Sequence, residues 1–192
     1  MRSVVGAVNK CGYDYIICEN EKDLFSVNKL ILPGVGAFGD GMKNLKIAKL
    51  IEPLNKLVNE EKIPILGICL GSQLLTNSSD EFGYNEGLGW VDAKVTILKK
   101  SSSINVPHIG WNDTKIVKDH FLLRGIKNDS LFYYVHSHKI LSEDSSIILA
   151  ECTYGESFIS IYAKDNIFGT QFHPEKSQKS GLLLIKNFLD KS

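Results

Sequence analysis

Ile63-Pro64-Ile65-Leu66-Gly67-Ile68-Cys69-Leu70-Gly71 is an apolar run closed by a glycine-bounded cysteine. Ile63 to Ile68 has the length and composition of a buried strand. Gly71 to Asn77 reads as the helix that follows. Gly67-x-Cys69-x-Gly71 is the cysteine version of a nucleophile elbow, a strained strand-to-helix turn that lifts one side chain clear of a sheet. Close backbone approaches leave no room for a Cβ at the flanking positions, so glycine fits there. The turn also sets Cys69 near a helix N-terminus, whose partial positive charge favours a thiolate. A strand feeding a helix in this way belongs in an α/β domain with a largely parallel sheet.

Other segments agree with that architecture. Residues 29–32 form a short apolar run that ends at Pro33-Gly34. Residues 38–58 carry Met42, Leu45, Ala48, Ile51, Leu54, Leu57 and Val58 at helical spacing, with Pro53 expected to kink or interrupt the pattern. The second half changes character. Residues 89–98, 131–135, 146–152 and 158–163 are rich in β-branched and aromatic residues and read as strands, several of them antiparallel. Residues 181–189 suit a short C-terminal helix.

A length of 192 residues fits one domain spanning 1–192, with enough chain for a full core. Twenty-two basic residues balance 22 acidic ones, so no strong net field is available to draw in nucleic acid or an anionic membrane. Cys11, Cys18, Cys69 and Cys152 match neither a CxxC metal site nor a dense disulfide framework. No metal or cofactor is expected. No apolar stretch is long enough to span a membrane, and the N-terminus lacks the pattern of a secretory signal. A reducing, cytoplasmic setting is expected.

A free thiol of pKa about 8.5 is only a few per cent ionised at neutral pH, so a nucleophilic Cys69 needs a base. Far downstream, a strand over residues 167–172 ends at His173-Pro174-Glu175. Histidine is the usual general base for a cysteine, and a carboxylate can fix its tautomer. Positions 173 and 175 point to the same side of an extended chain, so Glu175 can hold one ring nitrogen while the other faces Cys69. Cys11, Cys18 and Cys152 read as inert packing residues.

At this point the chain resembles the class I glutamine amidotransferases, and among them the glutaminase subunits of imidazole glycerol phosphate synthase from histidine biosynthesis. The resemblance rests on residues 32–42 (LPGVGAFGDGM), 64–75 (PILGICLGSQLL), 86–90 (EGLGW), 106–112 (VPHIGWN), 133–138 (YYVHSH) and 166–189. It implies a flavodoxin-like fold with added antiparallel strands. It makes Cys69 the nucleophile, His173 the base and Glu175 the orienting acid. It implies that the backbone N–H groups of Val35 and Leu70 stabilise the oxyanion, and that Gly34, Gly36, Gln73, Glu81 and Ser137 meet the substrate. Asp80 beside Glu81 leaves that register open. Glutamine would be cleaved to glutamate and ammonia, and the ammonia passed through a tunnel to a (β/α)₈-barrel cyclase subunit in a heterodimer. There it would join a phosphoribulosyl aminoimidazole ribonucleotide to give imidazole glycerol phosphate and a carboxamide ribonucleotide. Trp111 is the residue expected to dock on that partner; the bland alternative is packing within its own domain.

The sequence departs from the family's pattern in two respects. Relatives begin with an apolar strand and an Asp-Tyr-Gly-x-Gly-Asn loop before a segment like Arg2-Ser3-Val4. The expectation is therefore a sheet lacking its first strand, in a chain that starts at an internal methionine or is a truncated copy. Ser72 and His138 stand where relatives commonly carry methionine and an aromatic. They raise the alternative of a paralogue supplying ammonia for surface-polysaccharide sugars. A weakly catalytic regulatory homologue is the reading from a different class.

Overall fold

The computed structural model describes residues 1–102 and 104–191. Helix α1 (Arg2–Lys10) and the short α2 (Glu21–Leu24) precede strand β1 (Leu30–Gly34). Helices α3 (Phe38–Ile47) and α4 (Ile51–Asn55) follow, and α4 runs on into a π-helical turn, Lys56–Glu60. Strand β2 (Ile65–Cys69) leads directly into α5 (Leu70–Leu74). Next come β3 (Thr76–Ser79), β4 (Asn85–Glu86) and β5 (Val91–Ile97). The remaining strands are β6 (His108–Ile116), β7 (Ser130–His136), β8 (His138–Leu141), β9 (Ile148–Tyr154), β10 (Glu156–Lys164) and β11 (Ile167–Thr170). Helix α6 (Gln178–Asp190) closes the chain.

The main path of the sheet runs β1-β2-β11-β10-β8-β5-β3-β4, with β9 on β10 and the β6–β7 ribbon joined through β9. β2 lies between β1 and β11, parallel to both. Helices and loops cover both of its faces, so all five of its residues are buried. Alternation divides its side chains. Leu66 and Ile68 pack with Val4, Phe172 and Phe188 on the α1/α6 side, and Ile65 packs with Leu45, Leu57 and Leu74 on the α3/α4 side. Away from this parallel centre the strands pair mostly antiparallel, β3 with β5 excepted. The antiparallel additions are more extensive than the apolar runs suggested.

Parallel register puts one functional end on the sheet. Gly34 stands opposite Cys69, and Thr170 opposite Ile68. The loop after β1, the elbow after β2 and the segment from β11 to His173 therefore leave the sheet at the same edge, which is where ligands bind in open α/β sheets.

Several local expectations need correction. The long helical pattern breaks at Lys49, whose φ of 57° is left-handed, and not at Pro53. Pro53 sits in the first turn of α4, where its missing N–H has no helical partner to lose. The helix after the elbow ends at Leu74, and Thr76 already belongs to a strand. Residues 145–147 form a 3₁₀ turn before β9 starts at Ile148. β1 is the terminal strand of the sheet, and residues 13–19 join no ladder. Tyr13, Tyr15, Ile16 and Ile17 are exposed. Among the described residues no helix is long and apolar enough to cross a membrane.

Candidate active site

Cys69 carries φ 53° and ψ −111°, a combination rare for a residue with a Cβ and costly enough to persist only where the surroundings enforce it. The enforcement comes from close packing of β1, β2 and α5. A Cβ on Gly71 would drive into the carbonyl oxygen of Leu32. One on Gly67 would lie 2.6 Å from the Cα of Ser72, and one on Gly34 2.9 Å from the amide nitrogen of Gly71. Gly36 is different, because open space surrounds it and its φ of 103° is what calls for glycine.

Cys69 opens on a cavity of about 330 Å³. Val35, Gly36, Leu70, Gln73, Glu81 and Ser137 line it, together with Pro107, Val135, His136 and His138. Most of the residues expected at the site thus line one cavity; Gly34, packed against Leu70, and the His173–Glu175 pair lie outside its lining. Glu81 lines the cavity, whereas Asp80 is exposed and does not. One Glu81 oxygen accepts from the Phe38 N–H at 2.6 Å, at the start of α3, and the other lies 3.4 Å from His138 Nδ1. A wider groove of about 1170 Å³ runs past Met42, Lys46, Pro53 and Trp90 and holds none of the expected residues.

His173 is fixed from three directions. Its N–H donates to the Tyr133 carbonyl at 2.9 Å, and its carbonyl accepts from Ser177 Oγ at 2.6 Å. Nδ1 lies 2.8 Å from Glu175 Oε1, with both side chains almost wholly buried. Burial alone would depress the imidazolium, but hydrogen bonds and charge from Cys69 and Glu175 outweigh it and raise the pKa to about 9. The ring and the thiol are therefore within interaction range. No well-aligned hydrogen bond to Nε2 forms, and that nitrogen is buried without one. Long or poorly aligned contacts of this kind are common in catalytic pairs before substrate arrives. The thiol has only distant neighbours besides, the Val135 carbonyl at 3.8 Å and Gln171 Nε2 at 3.9 Å.

Sequence reasoning missed Gln171 and His136, and singled out His138 only as a departure from the family pattern. Gln171 precedes His173 by two positions on an extended segment, so the alternation that linked His173 to Glu175 also points to it. His136 carries no local mark of a site residue. Trp111 is 45% exposed and meets Tyr133 edge-on at 5.9 Å, so it does not sit in its own domain's core. Ile109 and Leu131 extend an exposed apolar face beside it, next to the cavity wall at Val135. Cys11, Cys18 and Cys152 are free thiols away from the cavity, and burial raises the pKa of each, Cys152 to about 12. Among the described residues no three His, Cys, Asp or Glu side chains group as a metal ion would require.

The family model for glutamine amidotransferase class-I matches residues 1–192. "Imidazole glycerol phosphate synthase subunit HisH 2" of Methanococcus maripaludis is 46% identical, over 97% of this chain and 92% of that protein. The corresponding subunit HisH of Methanocaldococcus jannaschii is also 46% identical, over 99% of this chain and 93% of that protein. A crystal structure of a glutamine amidotransferase superposes with a TM-score of 0.76 at 17% identity, covering 98% of this chain and 92% of that one. That last likeness speaks to the fold.

Proposed function

The chain belongs to the class-I glutamine amidotransferases, and we propose that within that family it is the glutaminase subunit of an imidazole glycerol phosphate synthase. The observation that carries the proposal is the strained Cys69 on a small cavity, its thiol within interaction range of a buried His173–Glu175 pair.

The raised pKa of His173 favours an imidazolium beside a thiolate. The Cys69 sulfur attacks the carboxamide carbon of glutamine. Negative charge then develops on the amide oxygen, where the backbone N–H groups of Leu70 and Val35 are the proposed donors. Imidazolium Nε2 gives its proton to the amide nitrogen, ammonia leaves, and a glutamyl thioester remains. The imidazole, now neutral, takes a proton from water as the water attacks the thioester. Glutamate leaves and the thiolate–imidazolium pair is restored. Glu175 holds Nδ1–H throughout and so keeps Nε2 toward the sulfur. Glu81 and Gln73 would receive the cationic end of the substrate, and Ser137 its carboxylate end.

The shift of His173 fixes a pH dependence. The acid needed for ammonia departure is present below about pH 9 and lost above it. Ammonia release should fall through a midpoint near pH 9, and the residual activity of His173→Asn should lack that limb. An identical alkaline limb in the variant would exclude His173 as the acid. Because the folded pKa lies above that of an unfolded histidine, the associated stability is complete below about pH 6.5 and lost as pH rises through about 9.

The ammonia would pass to a (β/α)₈-barrel cyclase subunit, which joins it to a phosphoribulosyl aminoimidazole ribonucleotide to give imidazole glycerol phosphate and a carboxamide ribonucleotide. Exposed Trp111, with Ile109 and Leu131, supports a docking face beside the site. Tryptophans at such places dominate interface energetics. Trp111→Ala should weaken capture of the barrel subunit by roughly 30-fold or more, leaving the melting temperature of the free chain unchanged. Equal capture by both proteins would remove Trp111 from the interface. The test of the whole reading is co-purification of the barrel subunit followed by glutamine-dependent turnover of its acceptor.

A further inference from the structure

His108 and His136 are buried near the cavity, and the mechanism uses neither. His108 Nδ1 lies 3.0 Å from His136 Nε2, and His136 Nδ1 lies 2.8 Å from the carbonyl oxygen of His138. Asn112 Nδ2 lies 3.4 Å from His108 Nε2 and also donates to the Thr153 carbonyl at 3.1 Å. Only one proton assignment satisfies every contact. A carbonyl can only accept, so His136 carries its proton on Nδ1 and accepts at Nε2. His108 must then donate from Nδ1 and accept at Nε2 from the Asn112 amide. Both rings are neutral in this arrangement, and an added proton on either would set two donors against each other. Burial acts in the same sense, lowering His108 to about 4 and His136 to about 3. Tyr154 and Tyr134 stack on the His108 ring at centroid distances of 3.9 and 4.8 Å and fix its plane.

The chain of donors ends on the His138 carbonyl, which takes a second hydrogen bond, from Gln73 Nε2 at 3.1 Å. The same Gln73 nitrogen donates to Gln171 Oε1 at 3.2 Å. Both amide protons of Gln73 are thereby committed, and its Oε1 is left as an acceptor on the cavity side. We propose that His108 and His136 are positioning residues which, by fixing the His138 carbonyl, set the amide of Gln73 so that it presents an oxygen to the ammonium end of the bound amino acid. This rests on glutamine being the ligand of the cavity; the hydrogen-bond relay itself does not.

The test uses the full chain and two readouts. In ¹⁵N-resolved spectra at pH 7, both histidines should be neutral Nδ1–H tautomers, and the Gln73 side-chain amide protons should exchange slowly. His108→Phe keeps the stacking but removes the relay, and should speed that exchange at least tenfold. His108→Asn supplies a donor where Nδ1 stood and should restore protection. In turnover with the barrel subunit, His108→Phe should raise the KM for glutamine roughly tenfold, the worth of one charge-assisted hydrogen bond, with kcat within about twofold. His108→Asn should return KM toward wild type. An Nε2–H tautomer or imidazolium at either ring, or a His108→Phe protein with unchanged Gln73 exchange and KM, overturns the proposal. If His108→Phe does not fold, the wild-type tautomers and Gln73 exchange still decide the relay. If the wild type cleaves no glutamine, the amide-cleavage reading fails while the spectra still judge the relay.

Discussion

Cys69→Ala is expected to cut ammonia release from glutamine by about 10⁴-fold or more, the usual consequence of removing the nucleophile from a triad that acts as a unit. The melting temperature should barely change. Apart from its interaction with His173, the Cys69 thiol has only long contacts, to the Val135 carbonyl and the Gln171 amide, so its removal breaks no short hydrogen bond. Alanine adopts the left-handed φ at no greater cost than cysteine. The contrast between lost rate and kept stability separates a nucleophile from a packing cysteine. Cys152→Ala supplies the converse, since that thiol is buried in the core away from the cavity and should cost stability with little effect on rate. Loss of activity in Cys152→Ala with Cys69→Ala unaffected would invert the assignment.

The second large effect belongs to Gly71. Its missing Cβ is the space taken by the Leu32 carbonyl of β1, so Gly71→Ala must separate α5 from β1 or distort the elbow. Both partners are backbone, and neither can move away by changing rotamer. A loss of about 3–5 kcal/mol is expected, in the range of severe overpacking. Any protein that folds should also be catalytically poor, because Gly34 and Leu70 shift with the elbow. Gly6→Ala is the control. It lies within α1, with nothing within 4 Å of the added carbon. There alanine should stabilise slightly, by about 0.5–1 kcal/mol. Thermal or denaturant unfolding of the two variants distinguishes a glycine required for space from one that is merely tolerated. Equal stabilities would mean that β1 and α5 are not clamped as described.

What could be read in the sequence was local and strongly patterned. The elbow was legible because Gly67 and Gly71 bracket Cys69 at the end of an apolar run, and the packing at both glycines explains why. His173 and Glu175 were legible from their spacing at a strand end. Their hydrogen bond depends only on residues two apart. The short strands β3, β4 and β8 and the ribbon strand β6 were not legible. β3, β4 and β8 are four residues or shorter, and the buried residues of β6 are the polar His108 and Thr114, so none shows a clean apolar period. The helix break at Lys49 escaped notice because a left-handed lysine has no compositional mark, whereas Pro53 has a strong one and proved harmless in a first turn. The His108–His136 relay was invisible for a different reason. It joins residues of two strands, and only the antiparallel register of β6 and β7, which sets His108 opposite His136, brings them together.

The most direct measurement is to mix the chain with the proposed partner subunit and excess glutamine, quench in acid within the first turnovers, and search the proteolytic peptides for a glutamyl adduct. The adduct should sit on the peptide containing Cys69, form and decay at the rate of ammonia release, and accumulate when hydrolysis of the thioester is slowed. Ammonia released at the full rate with Cys69 never modified, or a Cys69→Ala protein as fast as the wild type, would mean that this sulfur does not attack the amide.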